Sequence, residues 1–301
     1  ANLDVETSEN SIQESIAQIY IQILYAAESV KVNENTLQVS IAQRDRGQEL
    51  LNAGSIAKSD LAQLEAQVST DRYQLVTAQA TLQDYKLQLK QLLELDGENE
   101  MNVYLPALSD ENVLLPLPTK KDVYMSALTL RPEIEASKLS VEASELGIDI
   151  AKAGYLPTIS LSAGIGTNHT SGSDFTFGEQ VKNGWNNSIG VSVSVPIFNN
   201  RQTKSAVQKA KLQRETSLLS LLDEQKTLYK TIEGLWLDAN SAQQRYAAAN
   251  EKLKSTQISY DLISEQFNLG MKNTVELLTE KNNLLQAQQE QLQAKYMAIL
   301  N

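Results

Sequence analysis

The sequence has no cysteine and a single histidine, His169. Without cysteine the chain can form neither disulfides nor thiolate metal sites. One histidine cannot build a multi-histidine metal site or share a triad with a second base, and no Gly-rich phosphate loop is present. We therefore expect no catalytic residues, no cofactor and no bound metal, which makes an enzyme the least favoured class.

Basic residues are also scarce, because 26 Lys and Arg stand against 37 Asp and Glu, giving a net charge of −11. This balance argues against a nucleic-acid partner, since a phosphate binder needs a basic face; a plainer reading of the acidity is solubility. No apolar run approaches the roughly 20 residues of a membrane-spanning helix. The six prolines and 13 glycines lie mostly between Gly97 and Gly190, which leaves long flanking segments without breakers.

The longest of these segments, Thr203 to Phe267, contains no proline and only one glycine, Gly234. Its apolar residues from Ile232 onward recur at alternating steps of three and four, and only Thr256 interrupts the series. This seven-residue repeat is typical of helices that supercoil around each other. A helix of this length would measure about 95 Å, far more than a globular domain requires.

Two segments near the start of the chain carry the same repeat. The first is expected over about 11–51, and Asn52-Ala53-Gly54 ends it, because glycine suits the left-handed turn after a helix. The second is expected to begin after a cap by Ser59 and to end near Asp96-Gly97, with Asp71 as its only heptad misfit. A short loop between two long periodic helices predicts an antiparallel helical hairpin.

A second copy of this hairpin ends the chain. The long helix stops at Asn268-Leu269-Gly270, and Thr274 is predicted to cap a final helix with leucines seven residues apart. The two hairpins superimpose without a gap at an offset of 216, so that Gly54 matches Gly270. Two copies of one helix–turn–helix unit predict a pseudo-symmetric protomer.

The segment between the hairpins is predicted to be irregular over 97–119, where three prolines occur. Thr119 is expected to cap a short helix over 120–130. Arg131-Pro132 is expected to open another helix that continues to about Ala153, since proline suits the first helical position.

Next, apolar and small polar residues alternate in Ile159–Gly166 and again in Ile189–Ile197, separated by a polar loop. A soluble half-buried hairpin and a pair of transmembrane strands with one lipid-facing side both fit this pattern. The strands precede only the second helical hairpin. Equivalent strands for the first copy would lie before residue 1, so we expect the chain to be part of a longer protein.

Several stretches together resemble the TolC-type outer-membrane efflux protein family, and the resemblance covers essentially the whole chain. They are Ala127–Ile134, Tyr155–Gly164, Val195–Phe198 leading into Arg201, and the two Gly-x5-Asp/Glu-Leu turns that begin at Gly54 and Gly270. The resemblance implies a homotrimer with long periplasmic tunnel helices, an equatorial belt and four strands per protomer in an outer-membrane barrel. It also implies a periplasmic adaptor, an inner-membrane transporter and outer-membrane lipid as partners, in a Gram-negative bacterium.

The expected fold is mainly α, with long antiparallel coiled-coil hairpins, a two-stranded transmembrane-type β-hairpin and a small equatorial region. By the resemblance, residues 1–96 form the first periplasmic hairpin and 97–157 the equatorial segment with the middle helices. Residues 158–198 form a strand pair of the barrel with its external loop, and 199–301 form the second periplasmic hairpin.

The resemblance also assigns roles to residues at the two turns. The glycine turns would contact the adaptor through Ala53, Gly54, Ser55, Leu269, Gly270 and Met271. The pore entrance would carry Glu276, with Thr279 in place of a second acid and Glu280 beside it; a ring of carboxylates repels anions and binds cations. The plain alternatives are that each glycine only terminates its helix and that the acids belong to a solvated helix face.

The family's closed-state links between the hairpins fall on Asp60, Phe267 and Lys272. A salt bridge between Asp60 and Lys272 is the expected link, and Phe267 replaces a tyrosine expected there. An exposed pair contributes at most about 1 kcal/mol, so gating would depend on several weak links.

These expectations describe a passive outer-membrane duct of a tripartite efflux pump or type I secretion system, conducting drugs or proteins from periplasm to exterior. The alternative is a soluble coiled-coil scaffold or interaction protein. That alternative explains the heptads but not the alternating strands or the ordered repeat.

Overall fold

The structure is a computed structural model, and it describes residues 2–95, 102–104, 106 and 113–300. Helices dominate these residues, and one antiparallel strand pair interrupts them. The elements are α1 (Asn2–Asn52), α2 (Lys58–Leu92), α3 (Lys120–Leu130), α4 (Pro132–Ala153), β1 (Thr158–Gly166), α5 (Phe177–Asn183), β2 (Asn186–Ser194), α6 (Gln202–Asn268) and α7 (Thr274–Leu300).

Most predicted helix boundaries agree with this order. The long helix predicted over Thr203–Phe267 is α6, one residue longer at each end. The helix expected from about Ser11 begins nine residues earlier, at Asn2. The end predicted at Asp96-Gly97 lies outside the described residues, although the last helical residue of α2 is already Leu92.

Two predicted helix caps are wrong by one or two residues. The N-cap of α2 is Ala57, and the Asp60 carboxylate accepts a hydrogen bond from its backbone N–H at 3.0 Å. The N-cap of α7 is Asn273, whose side chain accepts from the Glu276 N–H at 2.8 Å. In both helices the acid at the third helical position fixes the start, because it forms the returning half of a capping box.

The chain divides into two units. The first comprises 1–132 and 227–301 and contains α1, α2, α3, α7 and the later part of α6. One apolar cluster draws on all four long helices: Leu50, Leu64, Tyr260, Phe267, Leu277 and Leu284. Another joins α1 to α7 through Leu24, Leu292 and Tyr296. The heptad side chains therefore hold the two hairpins together as well as each hairpin by itself.

The second unit comprises 133–226 and contains α4, the strand pair and the first part of α6. Arg214 of α6 forms an ion pair with Glu145 of α4 at 2.7 Å. The loop between the strands contains a short helix, α5, that sequence reasoning missed. Its capping box joins Thr176 to Glu179, and this Thr-x-x-Glu spacing was a readable signal.

In the strand pair, Leu161 lies opposite Val191 and Ser160 lies opposite Ser192. The register therefore places the apolar side chains on one face and the serines and glycines on the other. The second strand was predicted to reach Ile197 but ends at Ser194, where its partner strand begins, and Pro196 has no N–H to extend a ladder. None of the helices within the described ranges has the length and apolarity required to cross a membrane.

Candidate functional site at the helical turns

The turns of the two hairpins have the same backbone structure. In the first, the Gly54 N–H donates to the Leu51 carbonyl at 2.9 Å and the Ser55 N–H donates to the Leu50 carbonyl at 2.8 Å. The equivalent residues of the second turn form the same two bonds, both at 2.9 Å. This pair of bonds defines a Schellman motif, whose left-handed residue is most easily a glycine.

The six residues predicted to contact an adaptor are all exposed at these turns: Ala53, Gly54, Ser55, Leu269, Gly270 and Met271. Leu269 and Met271 expose 69% and 72% of their surface. The second turn thus presents two large apolar side chains where the first presents alanine and serine. The two tips share a backbone but offer different surfaces.

At the start of α7, Glu276 is held by local contacts. Its carboxylate accepts from Lys272 Nζ at 2.5 Å and from the Asn273 N–H at 3.2 Å. The hydrogen bond from Lys272, then that from Asn273, lowers the pKa of Glu276 below its ordinary value. The lowered pKa favours the ionised carboxylate, and the Lys272 ammonium lies directly against it.

The other two predicted entrance residues are also engaged locally. The Thr279 hydroxyl donates to the Val275 carbonyl one turn back at 2.8 Å. Glu280 accepts a hydrogen bond from Ser259 Oγ of α6 at 3.1 Å. Within this chain, Glu276 and Glu280 are thus the acidic groups that the end of the second hairpin carries at the predicted entrance.

The three residues predicted to link the hairpins have other partners. Lys272 pairs with Glu276, and Asp60 accepts from the Ala57 N–H; the ion pairs of the described residues do not include one between Lys272 and Asp60. Each acid lies in the first turn of its own helix, where backbone N–H groups attract it. Phe267 is buried in the apolar cluster next to the turns. A role of these residues in gating stays a prediction.

Other polar contacts join the hairpins near the turns, and sequence reasoning missed them. Arg46 of α1 donates to the Asn268 carbonyl at the C-terminus of α6 at 3.2 Å. Gln43 of α1 donates to the Tyr260 hydroxyl at 2.8 Å. A cation at a helix C-terminus also interacts favourably with the helix dipole.

One further contact between the hairpins is fully buried. Lys281 of α7 is 4% exposed and forms an ion pair with Asp71 of α2, which is 1% exposed. Ser40 of α1 contacts both charged groups, and Gln67 donates to the second oxygen of Asp71 at 2.9 Å. Burial lowers the pKa of Lys281, while the hydrogen bond and charge of Asp71 oppose that shift. The heptad misfit at Asp71 was the one sequence signal for this cluster.

Comparisons with known proteins agree with this architecture. A family model described as "Outer membrane efflux protein" matches residues 123–299. The chain is 25% identical to outer membrane efflux protein BepC of Brucella suis biovar 1 (strain 1330), over 97% of the chain and 61% of BepC. It is also 25% identical to outer membrane protein TolC of Escherichia coli (strain K12), over 98% of the chain and 60% of TolC. The chain therefore spans about three fifths of the length of these relatives.

Solved structures share the fold. The outer-membrane channel OprN superimposes with a TM-score of 0.78 at 20% identity, over 99% of this chain and 66% of that one. The Campylobacter jejuni CmeC outer membrane channel gives a TM-score of 0.76 at 20% identity, over 99% of this chain and 62% of that one. The repeated hairpins, the strand pair and the family match agree, and the chain belongs to the outer membrane efflux protein family.

Proposed function

We propose that this chain is part of a passive duct that conducts drugs or proteins from the periplasm to the cell exterior. The observation that carries the proposal is the repeated hairpin with two Schellman turns of the same geometry, in a chain that also carries an alternating strand pair with one apolar face. A coiled-coil scaffold would not need the strand pair. Energy for export would come from a partner.

Membership of the family confirms two coarser predictions. The family is located in the outer membrane of Gram-negative bacteria, so the predicted localisation holds. It is a family of channels and not of enzymes, in agreement with the prediction from residue composition.

The names of relatives support a duct that does not itself choose its cargo. Relatives 21–24% identical to the chain are named a pyoverdine export outer membrane protein, an alkaline protease secretion protein and a cation efflux system protein. Pyoverdine, a protease and a cation are cargoes of different kinds. We infer that cargo selection in this system lies with the partners.

In this proposal the protein is a homotrimer, and its two turns face a periplasmic adaptor that links it to an inner-membrane transporter. The exposed apolar Leu269 and Met271 are suited to burial by a protein partner, since exposed apolar patches commonly mark interaction sites. The apolar face of the strand pair would contact outer-membrane lipid. Glu276 and Glu280 would lie at the entrance, with Thr279 beside them.

Deletion of the full-length gene in its host tests the proposal. We expect greater sensitivity to dyes, detergents or bile-type compounds, or loss of a secreted protein, with recovery when the gene is restored on a plasmid. A restored gene with Met271→Glu and Leu269→Glu should reach the outer membrane at normal levels but fail to recover export. Unchanged sensitivity and secretion after deletion would contradict the proposed function.

A further inference from the structure

The buried contact between Lys281, Asp71 and Ser40 joins three helices that belong to both hairpins. Leu277 and Leu284 of one apolar cluster flank Lys281 in α7, four residues nearer the turn and three residues farther from it. Still farther from the turns, α1 and α7 meet through the apolar cluster around Leu292. The ion pair is therefore a buried charged contact among apolar ones, in an interface between the hairpins that also contains the Gln43–Tyr260 hydrogen bond.

A buried ion pair affects such a contact in two opposite ways. Replacing both charges by well-fitting apolar groups is often neutral or stabilising, because the charges gave up their hydration on burial. Removing only one charge is strongly destabilising, because the other is left buried without a partner. The Lys281–Asp71 pair thus favours the register in which the two charges meet, although an apolar contact in the same place could bind the hairpins as tightly.

The surroundings allow the pair to be hydrated when the hairpins part. Gln67 of α2 donates to Asp71 and lies 3.5 Å from the Asn282 side-chain oxygen of α7, so the contact is polar on one side. A small cavity of about 70 Å³ lies against Lys281, lined also by Tyr260 and Gln288. Val39, Leu284 and Leu285 complete its wall, which is therefore partly apolar, and its size is sufficient for water beside the polar groups. Separation of α2 from α7 would therefore return both ions to a polar environment.

We propose that the Lys281–Asp71 pair is a reversible latch between the two hairpins: it fixes the closed register, and hydration of the two ions offsets the free-energy cost of separating the hairpins on opening. The proposal rests on the proposed function, because it concerns the opening of an export duct. The predicted surface links at the turns join side chains that water already screens. The latch instead is formed by side chains that are themselves buried, since Lys281, Asp71 and Ser40 are each less than 5% exposed.

The test compares single and double replacements by the mean conductance of the full-length trimer in planar lipid bilayers without any adaptor. Lys281→Met and Asp71→Asn each leave a buried charge without an opposite charge beside it, so the hairpins should part and conductance should rise by about tenfold. Lys281→Met combined with Asp71→Leu removes both charges, so the closed register should persist and conductance should fall to about one tenth of the unmodified value. A rise in conductance in the single variants together with a fall in the double variant is the result that a latch predicts.

Lys252→Met is the matched control. Lys252 pairs with Glu290 at 2.6 Å, but this pair is about half exposed and joins α6 to α7 within one hairpin, so its removal should leave the conductance unchanged. Circular dichroism and native-gel analysis check that each trimer is folded and assembled. The double variant avoids an unpaired buried charge, so it supplies the test even where a single variant does not assemble.

Conductance of both single variants equal to that of the unmodified protein would overturn the latch, and so would a double variant as conductive as the single ones. In either case the unmodified protein still forms channels, so the proposed function stands. No channel from the unmodified protein in bilayers would overturn the proposed function itself, and the latch with it.

Discussion

Gly54 and Gly270 lie 216 residues apart and have the same left-handed backbone conformation, with φ of +72° and +73°. Each is the residue at which a long helix ends and the chain reverses. Among the described residues, and apart from the glycine and its two chain neighbours, no atom would lie within 4 Å of a Cβ added at either position. Glycine is therefore required here by the backbone conformation and not by a lack of space.

We expect Gly270→Ala to lower the free energy of unfolding by about 1 kcal/mol, because a side chain in the left-handed region is strained. Gly270→Asn should cost less, since asparagine tolerates this region. The measurement is denaturant unfolding followed by circular dichroism.

Gly234→Ala is the control, because Gly234 lies within α6 and also has open space around an added Cβ. In a regular helix alanine is favoured over glycine by about 1 kcal/mol, so this change should stabilise. Equal effects of the Gly270 and Gly234 substitutions would show that backbone conformation is not the reason for the glycine.

A second prediction concerns the helix starts that follow the turns. The N-cap of α7 is Asn273, whereas the equivalent N-cap of α2 is Ala57, which has no side-chain acceptor. Asn273→Ala should therefore destabilise by about 1 kcal/mol, and Ala57→Asn should stabilise by a comparable amount. Thermal unfolding of the two variants measures both signs. A loss of stability in Ala57→Asn would mean that the repeat does not extend to cap geometry.

The sequence alone predicts the hairpins, the repeat and the strand pair, because each depends on local periodicity. The seven-residue repeat places Ile23 and Leu64 inside, and both are buried; the two glycine turns follow from one residue type at matched positions. Thr119 was predicted as the cap of α3, and its side chain accepts from the Asp122 N–H. Such features need no knowledge of distant residues.

The contacts between the hairpins could not be predicted in the same way. Lys281 and Asp71 are 210 residues apart, and a heptad pattern describes each hairpin separately. Asp71 appeared only as a misfit, although a charge at a core position already implies a buried partner. Lys272 was assigned to Asp60 by resemblance, but Glu276 lies only four residues farther along the chain, in the first turn of α7. A partner four residues away is reached at a lower cost in side-chain ordering than one on another helix.

A third prediction separates a membrane strand pair from a soluble one. Val191 belongs to the apolar face and Ser192 to the opposite face. If the apolar face contacts lipid, Val191→Lys should reduce stability by about 2–4 kcal/mol near the bilayer centre, whereas Ser192→Lys should be tolerated. Folding of the full-length protein into liposomes in a urea series measures the difference. Equal tolerance of both lysines would argue against lipid contact.

The last prediction concerns charge at the entrance. In a full-length trimer, Glu276→Gln should weaken block of conductance by divalent cations, because it removes one carboxylate per protomer from the proposed ring. Lys272→Gln should strengthen block, since Lys272 Nζ lies 2.5 Å from the Glu276 carboxylate and offsets its charge. Glu290→Gln is the control, because Glu290 lies in another part of α7 and pairs with Lys252 of α6.

The pH dependence of this block follows from the same contact. Lys272 lowers the pKa of Glu276 below its ordinary value of 4.5. Any stability from this contact is therefore present above pH 4.5 and is lost as pH falls through the lowered pKa. Block by divalent cations should likewise persist at pH 4.5 and weaken only at lower pH. In Lys272→Gln the loss of block should begin at a higher pH, because the pKa of Glu276 is no longer lowered by the Lys272 ammonium. The same midpoint in both proteins would mean that Glu276 does not supply the blocking charge.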